Sequence, residues 1–258
     1  MFRFIHTADW QLGKPYAWAE PEVRSALTDA RFDAIDTIGK LANEHSATHV
    51  LVAGDVFDTE GPDPRTIVQA LSRMERHACH WWLLPGNHDF VRAGGLWDRI
   101  EARLPGNVYL ISEAQPSELE GGMWLLPAPL VHRHQDDDPT EKFDTMKTPG
   151  AKLRIGLAHG SIVDFGAQGE TKNQIAPDRA ARSGLDYLAL GDWHGSLQVN
   201  ARTWYSGTPE VDRFQRDEPG KALLVELKQS AEPVVTELRT GKYQWLKRDW
   251  RVDDAAGF

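Results

Sequence analysis

Five apolar runs in this chain each end in residues that can hold a hard cation. Phe-Ile-His-Thr-Ala runs into Asp9, Val-Leu-Val-Ala-Gly into Asp55, and Trp-Leu-Leu-Pro-Gly into Asn87-His88-Asp89. Ile-Gly-Leu-Ala runs into His159, and Leu-Ala-Leu-Gly into Asp192-Trp-His194. Carboxylate, amide and imidazole donors in this mixture suit divalent ions that accept oxygen and nitrogen ligands. Taken singly, each has a plainer explanation. An Asp after a strand and a Gly is a common turn or cap residue. Asn-His-Asp after Pro-Gly is ordinary turn chemistry, and a lone His is more often a hydrogen-bonded core residue than a ligand. The repetition is what points to a metal centre, because open α/β sheets bind ligands beyond the carboxyl ends of their strands. His6 stays open between orienting a ligand and filling the core. Trp10 and Trp193 each sit between two candidate ligands, where they can wall a site or anchor its loops. His132 and His134 fall in a polar loop, within reach of a substrate or simply solvated.

The elements that must position these residues alternate in the first half. Phe2–Thr7 reads as a strand, and residues 22–44 as a helix with Val23, Leu27, Ala30, Ala34, Ile38 and Leu41 on one face. Pro21 precedes that helix, where a missing N–H costs little. His49–Ala53 is a short buried strand. A helix over Arg65–Cys79 follows, buried along Ile67, Leu71, Met74 and Ala78 and carrying Cys79 as a small buried residue. Trp81–Leu84, a helix from near Gly95 to before Pro105, and a strand over Val108–Ile111 complete the alternation, which predicts a mostly parallel sheet covered by helices. The second half is strand-rich: 123–126, 153–158, 187–190, 203–205, 222–227 and 234–238. His132–Gly150 and Asp164–Ile175 read as exposed loops.

A formal net charge of −9 gives no global basic field to gather nucleic acid or acidic membrane. It leaves room for an enzyme that meets phosphates through bound cations, which carry the positive charge themselves. A single cysteine rules out an intrachain disulfide and a thiolate cluster. The opening residues are too quickly polar for a signal peptide, and no run reaches the ~20 apolar residues of a membrane span, so a cytoplasmic location is expected.

His6-Thr-Ala-Asp9-Trp-Gln11-Leu-Gly13, Gly54-Asp55-Val-Phe-Asp58, Pro85-Gly-Asn87-His88-Asp89, His159-Gly160 and Gly191-Asp192-Trp-His194 resemble, in order and spacing, the motifs of calcineurin-like metallophosphoesterases. Within that superfamily the chain is most similar to SbcD-type DNA-repair nucleases. That similarity rests on His-Thr-Ala-Asp-Trp, on Leu185-Asp-Tyr-Leu-Ala-Leu190, and on Tyr205-Ser-Gly-Thr-Pro-Glu210 followed by Arg213-Phe214. The resemblance implies a four-layer α/β/β/α sandwich with two mixed sheets and two divalent ions. One ion would take Asp9, residue 11, Asp55 and His194; the other Asp55, Asn87, His159 and residue 192. Asp55 would bridge them and His88 would act as general acid. Two such ions can clamp a phosphate and stabilise both attacking and leaving oxygens.

Two positions depart from the family pattern. Gln11 replaces the second histidine of Asp-x-His, and Asp192 the first histidine of Gly-His-x-His. Exchanging imidazoles for oxygens favours Mn²⁺, with Mg²⁺, Fe or Zn²⁺ as alternatives; a plainer reading is that Gln11 does not coordinate. Catalytic residues 1–240 are expected to precede an extension over 241–258, in which Tyr243-Gln-Trp-Leu-Lys-Arg-Asp-Trp250 resembles the start of a DNA-capping region cut short. That shortness weakens the expectation of an ATPase partner subunit. The substrate implied is a phosphodiester, DNA by resemblance, cleaved as by an exonuclease or endonuclease; nucleotides or other small phosphate esters, and a weakly active scaffold, stand as alternatives. Arg92, Lys172, Arg213 and Arg216 are the candidate phosphate contacts, although solvated surface charge is the commoner fate of such residues.

Overall fold

The computed structural model describes residues 1–163, 172–212 and 218–249. Strand β1 (Phe2–Thr7) is the pivot of the first sheet. It runs parallel to β2 (His49–Ala53), which continues to β3 (His80–Leu84) and β4 (Val108–Leu110). The second half of the chain starts with β5 (Ser117–Glu118), β6 (Met123–Ala128), β7 (Leu153–His159), β8 (Ser161–Ile162) and β9 (Gln174–Ile175). It continues through β10 (Tyr187–Gly191), β11 (Leu197–Asn200), β12 (Thr203–Tyr205), β13 (Lys221–Leu227) and β14 (Val234–Arg239). The last two return antiparallel to the free side of β1, so the first sheet is ordered β14-β13-β1-β2-β3-β4. The second is ordered β11-β12-β10-β7-β6-β5, with β12, β10, β7 and β6 parallel. Both sheets therefore deliver parallel strands to one end of the molecule.

Three apolar layers hold the stack together. The middle one lies between the sheets and contains Phe4, Leu51, Ala53, Leu157, Tyr187, Ala189 and Leu223. Fully burying each large aliphatic or aromatic side chain there contributes roughly 1.5–3 kcal/mol. Outside the first sheet lie α1 (Pro21–Glu44) and α2 (Pro64–Glu75), which pack Ile35, Ile38, Ala70 and Met74 onto Val50, Val52 and Trp81. Both helices have proline in the first turn, and the Asp63 side chain caps α2 by accepting from Arg65 N at 2.8 Å. The short α3 (Leu96–Ile100) and a 3₁₀ turn over Glu101–Arg103 complete that layer. The outer cover of the second sheet is thin, with only a 3₁₀ turn over Glu141–Asp144 and the four-residue α4 (Arg179–Arg182) as helices among the described residues. The α/β/β/α sandwich is the observed architecture.

Five expectations are corrected by the structure. Val23 is 47% exposed, because α1 reaches the core only from Leu27 onward. Helix α2 stops at Glu75, and Ala78 is exposed. The Asn107 side chain takes its place as the C-terminal partner, donating to the carbonyls of Met74, His77 and Cys79 at 3.0, 2.8 and 3.2 Å. Cys79 is buried as expected but lies in the turn before β3, not on a helix. The stretch His132–Gly150 is not wholly an exposed loop: Thr140 and Phe143 are fully buried, Phe143 against Leu126 and Leu188. Of Asp164–Ile175, residues 164–171 lie outside the described residues, while Asn173 is buried and Gln174–Ile175 pairs with β8.

The segment after β14 is laid on the first half of the chain. Glu210 accepts from Lys242 N and Tyr243 N at 2.6 and 3.1 Å, and Trp245 donates to Val211 O at 2.9 Å. Tyr243 and Trp245 pack against Tyr16, Ala19 and Leu27. Among the described residues, no helix is long and apolar enough to cross a membrane.

Candidate metal centre

Past their last paired residues, β1 and β2 keep travelling together. Asp9 N bonds to Gly54 O at 3.1 Å, Gln11 N to Asp55 O at 2.9 Å and Leu12 N to Val56 O at 3.0 Å. The chain achieves this with left-handed backbone at Asp9 (φ +55°), Gln11 (φ +43°) and Asp55 (φ +55°), and Asp192 repeats the device at the end of β10 (φ +102°). Such conformations cost about 1–3 kcal/mol at a non-glycine residue and cluster where function fixes geometry. Two glycines let the sheet ends meet. A Cβ on Gly54 would lie 2.2 Å from His159 Nδ1, and one on Gly191 would lie 1.9 Å from Ala53 O.

Asp9, Asp55 and His159 are all buried and offer donor atoms within 4.8 Å of one another. His159 donates from Nδ1 to Ala53 O at 2.8 Å, which leaves Nε2 facing the carboxylates, 3.5 Å from Asp55 Oδ1 and 4.0 Å from Asp192 Oδ1. The Asn87 amide lies 2.9 Å from His159 Nε2 and 3.2 Å from both Asp55 oxygens when its nitrogen donates. Asp192 N donates to Asp9 Oδ1 at 3.1 Å, and the Asp192 carboxylate accepts from Ser161 Oγ at 2.6 Å. His88 N donates to Asp55 Oδ1 at 2.9 Å; its ring bonds through Nδ1 to Asp58 O at 2.8 Å, with Nε2 3.9 Å from Asp55 Oδ2.

The electrostatics show a cluster short of positive charge. Burial pushes the Asp9 carboxyl up to about 8; His159 opposes this, and the neighbouring Asp55 and Asp192 charges reinforce it. Burial alone would lower His159, but Asp55, Asp9 and Asp192 together raise it to about 9. A divalent cation reverses both tendencies, by pairing with the carboxylates and taking the imidazole lone pair. The oxygen-rich donor set and the buried, converging carboxylates therefore fit a divalent metal ion.

The other sequence candidates are placed differently. Gln11 and His194 lie beside this group, with the Gln11 oxygen turned to Lys14 Nζ at 3.0 Å. Trp193 is 40% exposed and lines a cavity of about 160 Å³ with Asp192, His194, Thr208, Asp212 and Lys221. Trp10 anchors the loop, donating to Thr7 Oγ1 at 3.0 Å and packing on Trp81. His6 fills the core between the sheets, its ring bonded to the Tyr187 hydroxyl at 3.0 Å and to Leu190 O at 3.1 Å. Arg92 pairs with Glu60 at 3.2 Å and Lys172 with Asp136 at 2.5 Å; Arg213 and Arg216 lie outside the described residues.

Several residues prove to be supports, a role the sequence reading assigned to none of them. Asp89 is fully buried and accepts from Gly86 N at 2.7 Å and Phe57 N at 3.0 Å, which fixes the Asn87-His88 turn. Thr208 donates to Asp9 O at 2.9 Å. Both lie inside quoted motifs, so their positions could have been noticed. Ser161 follows His159 by two residues, a weaker signal. Exposed Arg133, with Nε 3.4 Å from Asn87 O, reaches the site from a segment with no pattern of its own.

Comparison with known proteins places the fold in a family. The SbcD component of the nuclease SbcCD from Bacillus subtilis is 32% identical over 273 residues, covering 86% of this chain and 65% of that protein. Its Escherichia coli K12 namesake is 34% identical over 93 residues, covering 34% of this chain and 22% of that protein. The chain thus spans less than two thirds of the length of either relative. In fold, a dimetal phosphatase from Danio rerio superposes with a TM-score of 0.51 at 10% identity, covering 91% of this chain and 98% of that one. The calcineurin-like phosphoesterase family matches residues 2–225, nearly the whole described fold. The chain belongs to that family.

Proposed function

We propose that the chain hydrolyses phosphodiesters, with DNA as the substrate class, as a nuclease of the SbcD type. The observation that carries this reading is the meeting of Asp9, Asp55 and His159 at the strand ends of two sheets, with His88 beside Asp55. Asp9, Asp55, Asn87, His159 and Asp192 would hold a divalent ion, Mn²⁺ by donor set, while Gln11 and His194 are the residues the family resemblance offers for a second. Bound there, divalent metal supplies charge for the phosphoryl oxygens and acidifies water at the site.

The chain's own residues do the rest. With Nδ1 committed to the Asp58 carbonyl, His88 keeps Nε2 for a proton that passes to the departing alkoxide. Asp89 holds the turn that carries both Asn87 and His88. Exposed Arg133, bonded to Asn87 O, would meet a phosphate oxygen flanking the scissile one.

A second reading, turnover of small phosphate esters, draws on the acidic balance of the chain and on the pairing of Arg92 and Lys172 with carboxylates. The discriminating experiment offers linear duplex DNA, single-stranded DNA and a bis-nitrophenyl diester with Mn²⁺. DNA cleavage that weakens with salt supports the nuclease. Rapid turnover of the small diester, with DNA neither cleaved nor competing, gives the case to the second reading.

A further inference from the structure

Gln11 stands where the family resemblance puts a ligand of one ion, yet its amide is already committed. Its Oε1 accepts from Lys14 Nζ at 3.0 Å, and its Nε2 faces His194 Nε2 at 3.4 Å. Turning the amide over, to aim its oxygen at an ion beside His194, would set its NH₂ against the lysine ammonium. Those are two donors with no acceptor between them.

Lys14 is itself held in place. Its Nζ lies 2.5 Å from Asp212 Oδ2, and Arg31 reaches the same oxygen at 2.8 Å. Arg31 also donates to the Tyr16 hydroxyl and to Trp10 O. The side chains of Arg31 and Asp212 are almost wholly buried, and Lys14 keeps 27% of its side chain exposed.

The charge balance differs between the two sides of the centre. Around His159 three carboxylates gather, those of Asp9, Asp55 and Asp192. Beside Gln11, among the described residues, the Asp212 carboxylate is held by two cationic side chains, Lys14 and Arg31, and the Glu210 carboxylate also acts on Arg31. A dication entering there would meet an ammonium at hydrogen-bond distance from its intended ligand, in a partly buried setting where repulsion is poorly screened.

We propose that Lys14 supplies the second positive charge of this centre. The chain then holds one divalent ion tightly, through Asp9, Asp55, Asn87, His159 and Asp192, with the ammonium standing in for a second ion. This rests on the metal-dependent reading of the site. A phosphoryl group would be met by metal on one side and by a fixed lysine on the other, which is how a site with Gln in place of His can still balance the substrate's charge.

The test is metal stoichiometry in the full chain, by equilibrium dialysis against Mn²⁺ with elemental analysis and electron paramagnetic resonance. Wild type should take one equivalent, any second being on the order of 10–100-fold weaker, with an uncoupled Mn²⁺ spectrum. Lys14→Met combined with Gln11→His should take two and show exchange-coupled ions, while Lys14→Arg should stay at one. If the double variant fails to fold, Lys14→Gln replaces it, and its second equivalent should tighten. Two equally tight equivalents in wild type would overturn the proposal, as would a folded double variant, or Lys14→Gln in its place, whose second site is unchanged. A wild type that binds no divalent ion would overturn the metal-centre reading itself, and the Lys14 proposal with it.

Discussion

The two sheets contribute to the centre in the same way and are supported in different ways. In each, parallel strands carry candidate ligands at their carboxyl ends: Asp9, Asp55 and Asn87 from the first, His159 and Asp192 from the second. The first sheet is backed by helices of 24 and 12 residues that bury apolar residues from Leu27 onward in α1 and Ala70, Leu71 and Met74 in α2. The second is backed mainly by irregular chain, in which a buried ionic clasp joins the apolar contacts of Phe143, Ile162, Ile175 and Leu185. Arg179, with its side chain 2% exposed, bonds to Asp138 at 2.6 Å and to Asp144 at 3.0 Å, and Ser183 adds a bond to Asp144 at 2.6 Å. The candidate ligands of the second sheet are thus positioned without a long helix behind their strands. A buried cation that ties loops together can serve.

The comparison breaks most severely at the first sheet. Asp55→Asn should abolish divalent-ion binding and reduce turnover to background, because an amide cannot supply the charge that a buried cation needs. Metal content and activity are measured on the same sample. Retention of both would remove Asp55 from the centre. The next effect separates chemistry from coordination: His88→Ala should keep the metal and lose roughly 10²–10⁴-fold in turnover of a poor leaving group. A nitrophenyl diester, whose leaving group needs no proton, should lose much less. Equal losses on both substrates would contradict the acid role.

The second sheet should respond in stability before it responds in chemistry. Arg179→Met should cost about 2 kcal/mol, below the ~3–5 kcal/mol of a fully buried pair, because Asp144 keeps partial solvent. For a chain this size that is a fall in Tm of roughly 4–8 °C. Metal stoichiometry at low temperature should be unchanged; a lost ion there would show that the clasp positions His159 or Asp192 directly.

The smallest effect tests what joins the sheets. His6, on β1, bonds to Tyr187 and Leu190 of β10, and burial lowers its pKa to about 3 from 6.5, against the bond to the Leu190 carbonyl. Below pH 6.5 the unfolded chain takes a proton that the folded chain refuses. This contribution is therefore intact above pH 6.5 and falls as pH drops toward 3, by at most about 1.4 kcal/mol per unit. Denaturation of metal-free protein between about pH 7 and about pH 4.5 should show a shallower loss in His6→Gln than in wild type. Identical slopes would mean the pair does not titrate as its burial requires.

Much of this was legible in the sequence, for identifiable reasons. Strands such as Phe2–Thr7 and His49–Ala53 are unbroken apolar runs, and ligand-type residues at their ends stand out because the runs stop at them. The helix over 22–44 was legible by period, yet Val23 matched that period and faces solvent. Periodicity assigns a face without saying where the face first meets the core. Phe143 was hidden because one aromatic in a polar stretch has no period. Gln11 was visible as a departure, but Lys14 and Asp212 were not visible as its partners. Asp212 lies far along the chain from Lys14, and only the return of the chain after β12 brings the two together.

The left-handed backbone at Asp9, Asp55 and Asp192 sets which mutations lineages of this protein can tolerate. Asparagine has nearly the shape of aspartate and accepts that conformation as readily, whereas β-branched or bulky replacements do not. A single-base drift from Asp to Asn would thus silence the reaction and leave the fold standing. Descendants that kept the scaffold for binding alone should carry Asn at these positions more often than Ala or Val, and intact folding would be no guide to which copies still work.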